Sequence, residues 1–275
     1  MALLKSLWGI VSGIVALAFV AFVVAPAYGV TLLILHGTSI CGREFRHKNS
    51  RFMFCWARPT FALFCFLMRI VPVRLQRQHP VFPPALVIAN HQSLTDIFVL
   101  LTMLPDMGCR DARWVIKKEI ARYPLISRVC RNNGSAFIDR ADPASAMPRI
   151  AAAAACANDD CASLILFPEG TRFVPCDDGY PDPAGGKNYL HVRAPKPGGF
   201  LTMRQHMPTQ DILLVTIDWG APVRAKGFLH VGALFGKTCV VRTERYLVPN
   251  ADAAWLNARW REMETRFDRL RRNGN

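Results

Sequence analysis

Apolar and polar positions follow two different patterns, one before residue 75 and one after residue 85. No Lys, Arg, Asp or Glu occurs between Lys5 and Arg43. The apolar segment 7–36 within this stretch exceeds the about 20 residues that a membrane-spanning helix needs. Pro26 lies inside it, so a kinked or re-entrant two-helix hairpin is an alternative to a full span. We therefore expect residues 1–75 to form a membrane anchor.

The second half of this anchor, residues 51–72, is rich in Phe and carries Arg51, Arg58 and Arg69 at intervals. Such a mixture is typical of a helix at the membrane interface, with its apolar face in the acyl region and its Arg side chains among the headgroups. A core helix of the following domain has the same apolar spacing. The sequence leaves both interpretations open.

Short apolar runs alternate with helical patterns from residue 85 onward. The runs predict buried strands, and segments such as 94–104 place apolar residues at helical spacing until Pro105. This alternation predicts an α/β domain over residues 76–250, with a central mixed sheet flanked by helices. The predicted strands are 85–90, 113–118, 135–139, 163–167 and 211–219, with 227–236 as a candidate sixth.

The spacing of apolar residues over 251–275 predicts a C-terminal amphipathic helix with Arg on its polar side. The apolar stripe either docks on the α/β domain or contacts anionic lipid, and docking is the simpler expectation. The stripe consists of Leu256, Trp260, Met263, Phe267 and Leu270.

The net charge of +14 indicates anionic partners, namely nucleic acid, an anionic membrane surface or phosphorylated substrates. The basic residues are spread along the chain rather than clustered with exposed aromatic residues, so we expect no nucleic acid. Arg43, Arg46, Lys48 and Arg51 follow the first apolar segment, and this bias predicts that the rest of the chain lies on the cytoplasmic face of the inner membrane.

Cysteine usage gives no sign of a metal site. The nine Cys residues occur at irregular spacings without a Cys-x-x-Cys pair, which favours reduced thiols. No set of His, Cys and carboxylate residues has the spacing of metal ligands, so we expect no catalytic metal.

The segment "NHQSLTD", residues 90–96, places His91 directly after a predicted strand and Asp96 at the start of a predicted helix. Two residues five positions apart face different sides of one helix, so they meet only if His91 lies in the strand-to-helix loop. Asp96 can then orient the imidazole and stabilise its cation. Because no Gly-x-Ser-x-Gly sequence supplies a nucleophile, His91 is expected to act as a general base toward a substrate hydroxyl.

A second polar cluster, "FPEGTR" at residues 167–172, also follows a predicted strand. Gly170 permits close approach of a ligand, and Arg172 has the forked geometry that suits phosphate. Glu169 either binds a ligand hydroxyl or forms an ion pair with Arg172. Arg140 follows the predicted strand 135–139. It is a candidate for binding an anionic group or for a surface ion pair with a nearby Asp.

Together, "NHQSLTD", "GSAFIDR" and "FPEGTR" resemble the three ordered blocks of glycerolipid acyltransferases in the lysophosphatidic acid acyltransferase superfamily. The resemblance spans residues 86–217. "LHVRAPKPGGF" and "DILLVTIDW" are similar to the lysocardiolipin-acyltransferase-like branch, which includes short bacterial members. One departure is the absence of Pro from "DILLVTIDW", where the fourth block usually has one, and it bears on acyl-chain preference and acceptor.

The resemblance implies a membrane-bound enzyme that moves an acyl chain from acyl-CoA or acyl carrier protein to the hydroxyl of a lysophospholipid. It implies His91 as general base, Asp96 as its partner, no acyl-enzyme and no further cofactor. The rivals are a lipid thioesterase or hydrolase and a non-enzymatic, basic, membrane-bound binding protein. The implied substrate-binding residues are Glu169, Gly170, Thr171, Arg172, Arg140, Lys118 and Lys196.

Overall fold

The N-terminal helices form an antiparallel pair in the computed structural model, which describes residues 2–37, 42–76, 84–220, 233–247 and 250–273. Helix α1 (Ala2–Phe19) continues through a π-helical turn (Val20–Val24) into α2 (Ala25–Gly37), and α3 covers Gly42–Met68. The Trp8 indole N–H donates to the Leu67 carbonyl at 2.6 Å, and the Tyr28 hydroxyl donates to Asn49 Oδ1 at 2.6 Å. The chain therefore does not turn back within 7–36, where a hairpin at Pro26 was the alternative: Pro26 lies in the first turn of α2, and the antiparallel partner of α1 and α2 is α3.

Seven strands of the described chain form one mixed sheet in the order β1-β7-β6-β2-β5-β3-β4. Strands β6, β2, β5, β3 and β4 are parallel to one another, whereas β7 is antiparallel to β6 and β1 pairs parallel with β7. The strands are β1 (Val71–Gln76), β2 (Ala85–Ala89), β3 (Ala112–Lys117), β4 (Ala136–Ile138), β5 (Ser163–Leu166), β6 (Asp211–Asp218) and β7 (Thr238–Tyr246).

Helices cover both faces of this sheet, as alternation along the strands requires. Val87 of β2 packs with α3 and α4, whereas its neighbours Leu86 and Ile88 pack with α6, α7 and α8 on the other face. A 3₁₀ turn (Lys118–Arg122) leads into α5, beside the N-terminal helices. The helices after α3 are α4 (Asp96–Asp106), α5 (Pro124–Asn132), α6 (Pro143–Asp159), α7 (Pro197–His206) and α8 (Ala253–Asn273).

The predicted α/β class and the five predicted strands that became β2 to β6 are confirmed. Strands β1 and β7 were not predicted: β1 contains Pro72, which an edge strand tolerates, and β7 alternates with charged residues. The predicted helix 51–72 is wrong at its end, because α3 stops at Met68 and β1 joins the sheet rather than the anchor. Of the candidate strand 227–236, residues 227–232 lie outside the described residues, and 233–236 form a turn.

Helix α3 packs in the core on one side, which favours the core interpretation for that face. Phe54, Phe61, Phe64 and Met68 are buried with α4 against the sheet, while Phe66 is 81% exposed. In the described part of the chain, only α3 has both the length and the composition to cross a membrane, and 44% of its apolar stretch is buried. Core helices share this composition, so α3 is a weak indication of membrane association.

The C-terminal helix docks on the domain. Leu256, Trp260, Met263 and Phe267 are buried in the core on the α6 side of the sheet, and Leu270 of the predicted stripe is half exposed. Docking places α8 beneath the loop that follows β5.

Candidate active site

Five parallel strands end at one edge of the sheet, and the predicted site residues follow four of them. His91 follows β2, the FPEGTR turn follows β5, Lys118 follows β3 and Arg140 follows β4. Since β5 and β6 are the neighbours of β2, the residues after these three strands lie closest together.

His91 and Asp96 form the expected pair, with His91 in the loop and Asp96 as the first residue of α4. His91 Nδ1 lies 3.0 Å from Asp96 Oδ2, and both side chains are buried. A carboxylate only accepts hydrogen bonds, so Nδ1 carries the proton and Nε2 is left with its lone pair. No described residue bonds Nε2, and the ring keeps a small exposed area through which a ligand can reach it.

Hydrogen-bond donors that follow β2 and β6 hold the Asp96 carboxylate. The backbone N–H groups of Gln92 and Ser93 donate to Oδ2 at 2.7 and 2.8 Å, and the Trp219 indole donates to Oδ1 at 2.8 Å. Thr95 occupies the N-cap of α4 without a side-chain cap bond, and the Ser93 hydroxyl accepts the Thr95 N–H at 3.3 Å, so the Asp96 carboxylate and Ser93 together organise this turn. These donors fix the carboxylate against rotation and stabilise its negative charge.

Two further contacts orient His91. Its ring stacks on Phe167, with centroids 4.2 Å apart, and the Phe173 N–H donates to its carbonyl at 2.7 Å. Asn90 bonds both the N–H and the carbonyl of Ile217, at 2.7 and 2.9 Å, and so ties the end of β2 to β6. The imidazole is therefore fixed through its ring, its backbone and the preceding residue.

Glu169 lies beneath the loop rather than at its surface. Its side chain is fully buried, and Oε1 accepts the His91 backbone N–H at 3.3 Å. Burial raises the pKa of Glu169 well above its ordinary value, and the backbone N–H groups of His91 and Arg193 and the Trp260 indole oppose this rise only in part. Its contacts thus support the position of His91, and no ion pair joins it to Arg172 within the described residues.

Arg172 and Lys196 provide cations around Gly170. Gly170 has φ +71°, a left-handed conformation that favours glycine, and the Lys196 side chain lies where a β-carbon would be 3.5 Å from it. Neither Arg172 nor Lys196 has a side-chain partner in the described chain, and Thr171, next to Arg172 in the turn, is exposed. The exposed side of the turn around Gly170, which we call the opening, therefore carries positive charge without a carboxylate partner in the described residues.

The two remaining candidates differ in their surroundings. Lys118 forms an exposed ion pair with Asp139. Arg140 is half-buried and pairs with neither Asp139 nor Asp142 in the described residues, and burial lowers its pKa despite the nearby Glu119. Of these two cations, Arg140 is the one that remains available to an anion.

A family model described as Acyltransferase matches residues 71–218, just over half of the chain. The chain belongs to the Acyltransferase family. The match includes His91, Asp96, Arg140 and the whole FPEGTR turn.

Curated relatives agree with this family assignment. The chain is 30% identical over 146 residues to a 1-acyl-sn-glycerol-3-phosphate acyltransferase of Limnanthes alba, covering 52% of this chain and 45% of the relative. It is 38% identical over 88 residues to a protein of the same name from Cocos nucifera, covering 32% of this chain and 27% of the relative. The chain thus spans less than half the length of these curated relatives.

The fold has a solved counterpart. The crystal structure of the 1-acyl-sn-glycerophosphate acyltransferase PlsC from Thermotoga maritima superposes with a TM-score of 0.58. The likeness covers 98% of this chain and 93% of that chain at 18% identity, so it concerns the fold alone.

Sequence reasoning missed three aromatic residues that support the Acyltransferase site. Trp219 directly follows β6, so the rule of strand ends contains the signal for it. Phe167 begins the FPEGTR turn, yet its stacking on His91 depends on sheet register. Trp260, which lies beside Glu169, is 91 positions further along the chain, and only docking of α8 brings it there.

Metal ligation has no support in the described residues, where no three His, Cys, Asp or Glu side chains gather as a ligand set.

Proposed function

We propose that this protein transfers a fatty acyl chain from acyl-CoA or acyl carrier protein to the free hydroxyl of a lysophospholipid such as 1-acyl-glycerol-3-phosphate. The observation that carries the proposal is the buried His91–Asp96 pair with its available Nε2 and no protein nucleophile bonded to it in the described chain. The names of the curated relatives support the same acceptor class.

The chemistry follows from the position of the proton on Nδ1. The acceptor hydroxyl gives its proton to His91 Nε2 as its oxygen attacks the thioester carbonyl, and Asp96 stabilises the imidazolium. Collapse of the tetrahedral intermediate breaks the C–S bond, and the imidazolium returns the proton to the leaving thiolate. Glu169 holds the His91 backbone throughout, while Arg172, Lys196 and Arg140 supply positive charge for phosphate groups.

A location at the membrane follows from the same substrates. Lysophospholipids reside in the bilayer, and the described N-terminal helices expose large apolar side chains such as Ile14, Phe22 and Leu33. We propose that these helices anchor the protein at the inner membrane with the α/β domain on the cytoplasmic side.

The test uses the full chain purified in detergent, with labelled acyl-CoA or acyl carrier protein and a panel of lysophospholipids. We expect a diacyl phospholipid as the product, and we expect it to persist after exhaustive chelation of metals. His91→Ala should lower kcat by at least about 100-fold, the contribution of a general base, whereas His206→Ala at the distant end of α7 should not. Free fatty acid as the main product would indicate a thioesterase instead, and binding without product would indicate a binding protein.

A further inference from the structure

A buried carboxylate on α8 holds the segment 189–196, called the strap below, which leads from the loop after β5 into α7. Glu264 is largely buried, and it accepts backbone N–H groups of three consecutive strap residues. Leu190 donates to Oε1 at 2.7 Å, His191 donates to Oε2 at 3.0 Å, and Val192 donates to Oε2 at 3.2 Å. One charge thus satisfies donors that an irregular segment leaves without secondary-structure partners.

Other side chains on the same face of α8 reinforce this contact. Arg261 lies over the Tyr189 ring, 3.9 Å from its centroid, and forms an ion pair with Asp182 of the preceding loop. His191 Nε2 lies 3.7 Å from Asp268 Oδ1. Residues 261, 264 and 268 follow one another at helical spacing, so a single stripe of α8 faces the strap.

The far end of the strap reaches the proposed acceptor site. The Lys196 N–H donates to the Pro168 carbonyl at 2.8 Å, and the Lys196 side chain lies against Gly170. Val192, between the Glu264 contact and Lys196, is completely buried. The strap is therefore fixed at both ends, and its position determines where the Lys196 ammonium lies relative to Gly170 and Arg172.

We propose that Glu264 is a positioning residue for the acceptor: it holds the strap so that Lys196 meets the phosphate of the lysophospholipid. This inference rests on the proposed function. Glu264 itself faces backbone N–H groups and not the opening, so it acts through Lys196.

The test compares Glu264→Gln with Glu262→Gln in steady-state assays that vary each substrate in turn. In Glu264→Gln one carboxylate oxygen becomes an NH2 group, which cannot accept hydrogen bonds. Part of the set of hydrogen bonds from the strap N–H groups to residue 264 is therefore lost. We expect KM for the phosphate-bearing acceptor to rise about 10-fold in Glu264→Gln, the scale of a lost charged hydrogen bond, with kcat and the donor KM nearly unchanged. Glu262 pairs with Arg259 on the exposed side of α8, so Glu262→Gln should match the unaltered chain.

A second measurement separates positioning from general damage. If Glu264 acts through Lys196, then Lys196→Ala and the double variant Glu264→Gln/Lys196→Ala should have the same acceptor KM. Discrimination between lysophosphatidate and the phosphate-free monoacylglycerol should also fall in Glu264→Gln. Should Glu264→Gln fail to fold, Glu264→Asp, which keeps the charge on a shorter side chain, takes its place with the same expectation.

Several results would overturn the inference. An unchanged acceptor KM in Glu264→Gln, equal increases for donor and acceptor, or multiplying effects in the double variant would each remove Glu264 from acceptor positioning while leaving the proposed function intact. An unaltered chain that forms no diacyl product would overturn the proposed function, and this inference with it.

Discussion

The FPEGTR turn divides its charged side chains between two environments. Glu169 points inward and supports the His91 backbone, whereas Arg172 remains half-exposed without an ion-pair partner in the described chain. A structural Arg–Glu pair would have joined the two, and its absence from the described contacts leaves the Arg172 guanidinium available to a ligand.

Arg172→Ala should raise KM for the lysophospholipid acceptor by about 10- to 100-fold, the equivalent of the 1.5–3 kcal/mol of a charged hydrogen bond. KM for the acyl donor should change much less. Arg172→Lys should recover only part of the loss, because an ammonium lacks the bidentate fork. Arg110→Ala, an exposed position before β3 at the opposite edge of the sheet, is the matched control. Equal losses toward both substrates together with a lower Tm would instead indicate a structural role.

Glu169 should make the free energy of unfolding depend on pH. Because burial raises its pKa, the folded chain keeps a proton that the unfolded chain releases above the ordinary value of 4.5. The free energy of unfolding should therefore fall as pH rises from that value through the folded pKa. Glu169→Gln mimics the protonated side chain, so its stability should depend less on pH. Urea unfolding in detergent at several pH values measures this, with Glu262→Gln as control, and parallel curves for the unaltered chain and Glu169→Gln would contradict it.

At the scale of elements, buried ion pairs join α3 to the sheet and to the end of α6. Asp160, the C-cap of α6, accepts Arg46 Nε at 2.6 Å and Arg46 Nη2 at 2.9 Å, and it also pairs with the fully buried Arg113 of β3. Burial alone would raise the pKa of Asp160, but hydrogen bonds from both guanidinium groups outweigh it and lower the pKa to about 2. Helix α3 is thus held to the α/β domain by charge as well as by apolar packing.

Asp160→Asn should lower the free energy of unfolding by about 3 kcal/mol at neutral pH, since it removes the nearer carboxylate partner of the buried Arg113 and leaves only Asp111, 3.9 Å away. The lowered pKa means that the contribution of Asp160 is fully present above its ordinary value of 3.8 and disappears as pH falls through about 2. Asp159→Asn, at the exposed neighbouring position, should have little effect. Chemical unfolding of both variants is the measurement, and equal stabilities would show that the pairs contribute nothing net.

At the scale of the whole molecule, the antiparallel N-terminal helices and the α/β domain share α3. One face of α3 packs on α4 and the sheet, while Phe66 and the outer residues of α1 and α2 stay exposed. A lipid surface against those exposed residues would hold the α/β domain at a fixed distance from the bilayer. An amphiphilic acceptor would lie in that bilayer.

The expected cytoplasmic orientation is tested with a variant that keeps Cys176 alone among its cysteines. Cys176 is exposed in the loop after β5, so a thiol reagent reaches it whenever it has access to that side of the membrane. A membrane-impermeant reagent should leave intact cells unlabelled and should label Cys176 after permeabilisation. Labelling from outside intact cells would reverse the orientation.

Local spacing in the sequence determined the α/β class, the central strands and the His91–Asp96 pair, because strand periodicity and the strand-to-helix turn are set by neighbouring residues. The roles of Arg172 and Lys196 toward a substrate stay predictions, although neither side chain has a partner in the described residues. Tertiary structure decided what distant segments do to one another. It turned Glu169 from the opening toward His91, brought Trp219 to Asp96, and paired the edge strand β1 with β7. It also placed Trp260 and Glu264 of α8 under the loop after β5. Burial and long-range pairing depend on how whole surfaces pack, and the residues of one short segment do not specify which distant segment will cover it.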